Sequence, residues 1–549
     1  MRKAVKFILW ILAALVSLPA VLVLILALFS NQQSVVPPTG KALNVLAIQG
    51  VHVVDTESGA LLKDQTLLVS DGTVTAVGES PSIPPGTHVI AGEGRYVLPG
   101  LWNMHTHVSN FYPGFRLESM PAMVAHGVMY ARNLNSDCFG AMCVFAQSVD
   151  EMRALGNQVV EGVMLGPRLV GLGSYAVNGP PEMGAFMQDQ PAYLAPTTAE
   201  QGRELARYLQ QRGVDFIKPY SAINRAAYFG MMEEAVRLGL EVGGHLPQGV
   251  FLLEAIEAGQ RSIEHAVQLP LACSPVEAEF RPAFERYVDL TQLQRDAFKT
   301  ERPEDYDYVD SVKDHYRDII ERYDEAGCKA LLAEWAAADS YYVPTHLTRW
   351  AETVMHQFPW EDDPRAAFVG DIALMLAWAS NGRSYIKRFG ERPEQEQAFI
   401  DYVTLGQQLT GLAHAAGVKL MVGTDVGDTL IYPGASFHDE MHMMVEGGMP
   451  AAAVLRAATV TAAEYEGMDD RHGSIAPGKA ANLVLLVKNP LENIGNSSSV
   501  DAIYYQGRYY NRDELDVVMA GVESRAKGFN HFLRNGWDVV RTAFQFLLM

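Results

Sequence analysis

Two histidines one residue apart, His105 and His107, end the run Val97-Leu-Pro-Gly-Leu-Trp-Asn-Met-His-Thr-His107. Side chains on an extended strand alternate with a period of two, so both imidazoles leave the same face and can reach one metal ion. Four later residues extend the pattern: Lys218 in Asp-Phe-Ile-Lys-Pro-Tyr, His245 in Gly-Gly-His-Leu, His265 in Ser-Ile-Glu-His-Ala and Asp425 in Val-Gly-Thr-Asp-Val-Gly. Each closes a short apolar run bounded by polar, Gly or Pro residues, as the C-terminal end of a buried strand does. A metal ion held by such a set could act as a Lewis acid and lower the pKa of a bound water.

The elements that must bring these residues together are eight short apolar runs: Trp102–His107, Val128–Asn133, Arg168–Gly173, Asp215–Tyr220, Glu241–Leu246, Ser262–Ala266, Tyr341–Leu347 and Lys419–Asp425. Helical segments such as Thr198–Gln211, Arg225–Leu238 and Val250–Ala258 separate most of them. Strand–helix alternation repeated eight times predicts an α/β chain folded as a (β/α)8 TIM barrel, whose functional groups gather at the C-terminal ends of its strands. The candidate ligands then sit on strands one, four, five, six and eight. The barrel is expected over residues 99–472, with helical elaborations around strand seven at 272–340 and 348–416. β-rich stretches at 43–98 and 473–511 flank it and are expected to combine into one small β-sandwich domain.

Composition narrows the class. A hydrophobic content of 48% with 19% charged residues is that of a globular chain, and a formal net charge of −21 excludes nucleic acid as a partner. Cys138, Cys143, Cys273 and Cys328 are too few and too scattered for a disulfide scaffold, and whether Cys138 and Cys143 bridge is open. Phe7 to Phe29 carries no charge and follows Arg2, Lys3 and Lys6. That predicts a transmembrane anchor over residues 1–30, a linker at 31–42, and a single-pass protein with its catalytic part in the periplasm or outside the cell. A cleaved signal peptide is the alternative. The tail, 512–549, reads as helical, either lying in a membrane interface or packed on the domain.

These motifs together resemble the amidohydrolase superfamily, in particular the branch of Xaa-Pro dipeptidases and imidazolonepropionase-like proteins. The resemblance is carried by Leu-Pro-Gly-Leu-x3-His-x-His, the Ile-Lys of strand four, His245, His265, Gly-Thr-Asp425, Gly434-Ala-Ser-Phe-His-Asp-Glu440, Leu455-Arg-Ala-Ala-Thr459 and Gly473-Ser-Ile-Ala-Pro-Gly-Lys479. Departures are Asn482, where Asp is usual, and Asn133, where Arg-Asp is common. The resemblance implies two Zn2+ ions: His105, His107 and Asp425 on one, His245 and His265 on the other, with a carboxylated Lys218 bridging them. It also implies that Asp425 takes a proton from the attacking water and returns it to the leaving amine. Tyr220 either meets the developing oxyanion or packs, His346 either contacts substrate or caps the barrel, and His438 and Glu440 orient the loop that holds Asp425.

The expected activity is hydrolysis of an amide C–N bond in small peptide-like or N-acyl amino-acid substrates, dipeptides included. Two rivals stand beside it: a mononuclear hydrolase of cyclic amides or lactones, and a metal-binding surface protein without catalysis.

Overall fold

In the computed structural model eight parallel strands lie side by side in chain order: β1 Leu101–Thr106, β2 Val128–Asn133, β3 Arg168–Val177, β4 Phe216–Pro219, β5 Glu241–His245, β6 Ser262–Glu264, β7 Tyr341–Val343 and β8 Lys419–Leu420. The structure describes residues 36–108, 115–144, 146–179, 187, 190–288, 315–355, 358–371, 374, 378–379, 381–382, 393–528 and 531–532. The sheet curls until its last strand meets its first. Beyond β8 the chain stays extended, and Met104 N–H donates to Val422 O, Asp425 N–H to His105 O and His107 N–H to Val426 O, each at 2.9 Å. Asn103 reinforces that seam, its Nδ2 donating to Thr424 Oγ1 at 2.8 Å and its Oδ1 accepting from Thr424 N–H at 3.1 Å. β1 and β2 are buried at every position. Strands covered on both faces read as continuous apolar runs rather than as alternation, which is why these segments stand out in the sequence.

Helices cover the outside. The helix Ala199–Arg212 starts at Thr198, whose hydroxyl accepts from Gln201 N–H, and ends at Gly213 in the left-handed region with φ 79°. Its neighbour Arg225–Leu238 repeats the pattern with Asn224 as cap and Gly239 at φ 68°. The two pack with almost no space between their backbones: a Cβ on Gly202 would strike the carbonyl oxygen of Ala227, and one on Gly230 that of Ala199.

Strands from both sides of the barrel in sequence pair into a second, nine-stranded sheet. Leu483–Leu486 lies between Tyr96–Pro99 and Val500–Tyr505, all antiparallel. Alternation divides this strand between two cores. Leu483 and Leu485 join Leu46, Ile48, Val53 and Leu67 inside the sheet's own core, while Val484 and Leu486 face the barrel's. The helical segments around strand seven carry a third cluster, with Phe280, Phe284, Tyr316, Phe399 and Tyr402.

Four expectations are corrected or completed. The anchor of residues 1–30 lies outside the described residues. Among the described residues no helix is long and apolar enough to cross a membrane, which overturns the single-pass, membrane-anchored placement of the chain. Cys138 and Cys143 are bonded, and so are Cys273 and Cys328, a pair that sequence spacing did not suggest. The tail begins as the helix Arg512–Ala526, which buries Leu515, Val518, Val522 and Ala526.

The crowded helix pair has a measurable consequence. Gly230→Val should lower unfolding free energy by about 3 kcal/mol, because the isopropyl group cannot enter without separating the two helices. Glu204→Gln, on the exposed face of the same pair, should stay within about 0.5 kcal/mol of the parent in urea denaturation.

Candidate functional site

Every candidate ligand lies at the same end of the curled sheet. His105 and His107 leave the end of β1, Lys218 sits in β4, His245 ends β5, His265 follows β6, and Asp425 follows β8. His107 Nε2 is 2.9 Å and His105 Nε2 3.3 Å from Asp425 Oδ1. Potential ligand atoms of these three residues all lie within 4.8 Å of one another. His265 joins from the other side, its ring centroid 4.8 Å from that of His105 and 4.3 Å from that of His245. Lys218 Nζ is 3.3 Å from His107 Nε2.

The backbone is bent to achieve this. His265 has φ 71°, Asp425 φ 60° and Thr345, after β7, φ 44°. Non-glycine residues reach this region only when surrounding structure holds them there, and such positions gather at functional sites. Thr345 is itself tied to the cluster, because its Oγ1 lies 2.7 Å from His265 Nδ1. At Gly423 a Cβ would press on the Cβ and backbone nitrogen of His105, so the glycine of Gly-Thr-Asp lets the two seam strands approach.

Behind the cluster runs a buried ionic chain. Glu264 Oε2 accepts from His105 Nδ1 at 2.8 Å, and its Oε1 accepts from Arg132 Nη1 at 3.0 Å and from Ser262 Oγ at 2.6 Å. Arg132 lies over the Phe216 ring, 4.0 Å from its centroid, and donates to Tyr465. Burial alone would raise the Glu264 carboxyl, but His105 and Arg132 bring it down to about 2. Burial pulls His105 downward, yet the Asp425 and Glu264 carboxylates outweigh it and raise its pKa. At the other rings burial prevails over Asp425: His107 falls to about 4, also repelled by Lys218, and His245 and His265 fall well below the usual histidine range. Burial likewise takes Lys218 down to about 8.

Within the cluster four buried imidazole nitrogens have no hydrogen-bond partner: His105 Nε2, His107 Nδ1, His245 Nδ1 and His265 Nε2. In His105 and His265 the opposite nitrogen is engaged by Glu264 and Thr345, which fixes each ring and turns the unpartnered nitrogen toward the cluster. Unshared imidazole nitrogens beside a carboxylate form a donor set suited to a divalent transition metal. His107, Lys218, His245, His265 and Asp425 line a cavity of about 270 Å3, with Asn135, Tyr220, Thr348, Arg349 and Asp428.

The remaining sequence candidates separate. Tyr220 lines the cavity, its ring 4.0 Å from His245 centroid to centroid. His346 is not among the lining residues. It opens the helix His346–Val354, is buried, and is lowered to about 3 by that burial. Glu440 does not hold the Asp425 loop as expected: its carboxylate accepts from His346 N–H at 2.8 Å and Leu347 N–H at 3.0 Å, fixing the start of the helix after β7. Burial pushes this carboxyl up to about 8. His438 also points elsewhere, toward Ser497 Oγ at 2.9 Å and His126 O at 3.0 Å. Sequence reasoning missed Glu264 and Arg132. A signal for Glu264 existed, since it shares a strand face with Ser262 and immediately precedes His265.

Comparison with known proteins follows the same lines. Residues 404–509 match the model of the amidohydrolase family. Over 73 residues it is 37% identical to adenine deaminase from Paracoccus denitrificans (strain Pd 1222), which is 13% of this chain and 12% of that protein. The matched part therefore spans only about an eighth of that curated relative. The fold is shared over far more of the chain. The bottromycin amidohydrolase structure superposes with a TM-score of 0.63 at 21% identity, covering 93% of this chain and 94% of that one. The structure of a putative prolidase from Bifidobacterium longum gives 0.55 at 21% identity, covering 88% and 99%.

The buried ionic chain can be tested directly. Glu264→Gln should weaken binding of added zinc about 10–100-fold in a chelator competition, because His105 loses the acceptor that sets its tautomer. The denaturation midpoint should fall too, since Arg132 loses its buried counter-charge.

Proposed function

We propose that this chain is a metal-dependent hydrolase that cleaves the amide C–N bond of small peptide-like or N-acyl amino-acid substrates. One observation carries the reading: four histidines with unshared nitrogens, His105, His107, His245 and His265, come together with Lys218 and Asp425 from five strands, and all but His105 line a single cavity. The unshared nitrogens are a test of fit, because buried imidazole atoms without partners are costly unless something binds them. His105, His107 and Asp425 would hold one zinc ion, His245 and His265 a second, and Lys218, carboxylated on its amine, would bridge the two. Bound zinc supplies a Lewis acid for the carbonyl and lowers the pKa of a water it binds.

The protein's own groups account for the rest. Asp425 is buried among cationic and neutral donors that keep its carboxyl ionised, well below the usual carboxylate range despite burial. It can take a proton from the water whose oxygen adds to the amide carbon, then deliver that proton to the nitrogen as the C–N bond breaks, leaving a carboxylic acid and an amine. Tyr220, which lines the cavity, would donate its hydroxyl to the oxygen that gains charge at the tetrahedral stage. Burial of the Lys218 amine favours the neutral form that reaction with carbon dioxide requires.

A second reading, a mononuclear hydrolase of cyclic amides or lactones, is favoured by one observation: among the described residues the tight ligand group has only three members, His105, His107 and Asp425. Stoichiometry separates the two. Under the leading reading, purified protein carries about two zinc-like ions per chain, and Lys218→Ala loses metal together with at least about 100-fold in kcat/KM. At most one ion, with Lys218→Ala still active, selects the mononuclear reading. Asp425→Asn should keep part of the metal but lose roughly 10²–10⁴-fold in kcat, because an amide cannot carry the proton. An active Asp425→Asn enzyme rules out this residue as the shuttle.

A further inference from the structure

The candidate ligands divide by what holds them. His105, His107 and Asp425 are fixed within the barrel, by the seam between β1 and the chain beyond β8 and by Glu264. His245 and His265 lead into irregular turns, and these turns are gripped from outside by the helices around strand seven.

The helix Val276–Val288 lies over the turn after β5. Arg281, fully buried, donates from Nη1 to Gln248 O at 3.1 Å and to Pro247 O at 3.4 Å, just beyond His245. Its Nε donates to Glu277 Oε1 at 2.6 Å, which supplies the counter-charge. A buried guanidinium is costly unless paired and hydrogen-bonded, so the helix and the turn are not readily separated. One turn further along the helix, Glu285 closes on the same segment: a Cβ on Gly249 would stand 3.6 Å from that of Glu285.

The long helix Pro393–Ala416 grips the turn after β6 in the same way. Tyr402, also buried, donates its hydroxyl to Val267 O at 2.5 Å, just beyond His265. One turn on, Gly406 lets the helix rest against Ala266, since a Cβ there would stand 3.2 Å from the Ala266 carbonyl oxygen. On the barrel side Ala266 N–H donates to Pro344 O at 2.7 Å. His265 therefore keeps its positive φ between strand β7 and an inserted helix. The two helices share one apolar core through Phe280, Phe284, Phe399 and Tyr402, so both turns are held by a single packed unit. The Cys273–Cys328 bond fastens that unit to the chain that follows β6.

We propose that Arg281 and Tyr402 are positioning residues for the His245–His265 half of the centre, acting through the turns that carry these rings. This rests on the two-zinc reading. The barrel alone builds one metal position, and the inserted helices complete the other. Loss of either bond weakens one ion without the other.

The test titrates the metal-free full chain with Zn2+ in competition with a chelator. Wild type should give two dissociation constants. Arg281→Met and Tyr402→Phe should each raise one of them about tenfold and leave the other within about twofold. Arg281→Lys, which can still donate to Gln248 O, should fall between wild type and Arg281→Met. Ile319→Ala, which thins the same core without removing a hydrogen bond to either turn, should lower the thermal midpoint and leave both constants within about twofold. Equal movement of both constants, movement of neither, or an Ile319→Ala effect as large as that of Tyr402→Phe overturns the assignment. If wild type takes up at most one ion, the two-zinc reading falls, and carbethoxylation of the metal-free chain by diethyl pyrocarbonate, mapped by mass spectrometry, decides the positioning roles. Faster modification of His245 and His265 in the variants, with His105 and His107 unchanged, keeps those roles, whereas unchanged or uniformly changed rates remove them.

Discussion

The chain Arg132–Glu264–His105 is the interaction on which the site depends. A buried carboxylate between a guanidinium and an imidazole would be costly in isolation, and here each charge is met by hydrogen bonds from at least two neighbours. It links the inner faces of strands β1, β2 and β6, so the orientation of His105 is set by the barrel core. The same logic recurs at the rim, where Thr345 fixes His265 and Glu440 fixes the helix that carries Arg349. The imidazoles of the cluster are thus held by groups behind it, the arrangement that keeps a site's geometry within a fraction of an ångström.

Much of this was legible in sequence because strand ends announce themselves. His105, His107, Lys218, His245, His265 and Asp425 each follow a buried apolar run, and parallel strands in chain order put such ends on one face. The pairing of β-rich stretches from both ends of the chain was legible for a similar reason, since neither stretch has enough sheet to bury its apolar side alone. What could not be read were contacts between elements far apart in sequence. Glu440 looked like a neighbour of Asp425 because it lies fifteen residues on, yet a helix turns it toward β7. Arg132 and Glu264 are separated by 132 residues, and only curling of the sheet makes them partners. Cys273 and Cys328 meet through the packing of helices whose contacts no spacing rule describes. His346 closes its apolar run as the others do, but the chain becomes helical at that residue and its ring turns out of the cavity lining.

Strain and burial are distributed unevenly. Positive φ values at Asp425, His265 and Thr345 fall within the cluster. Strands β1, β2, β4 and β6, by contrast, are buried at every position. A packed barrel can hold a few unfavourable backbone conformations because relaxing them would disturb the strands on either side. The helices around strand seven add a separate core built on Phe280, Tyr316, Phe399 and Tyr402.

The strand Leu483–Leu486 ties two cores together, and its sheet also joins Arg508 to the carbonyl of Gly40, 468 residues earlier. Contacts that close so long a loop form late, because chain entropy must be lost before they return any stabilisation. During synthesis Tyr96–Pro99 leaves the ribosome long before Leu483–Leu486, the strand it pairs with, exists, and that edge must wait. The conformational search of this protein is therefore gated by its last-made strands, and the interval before they arrive is when the chain is most exposed to mispairing with a second copy of itself.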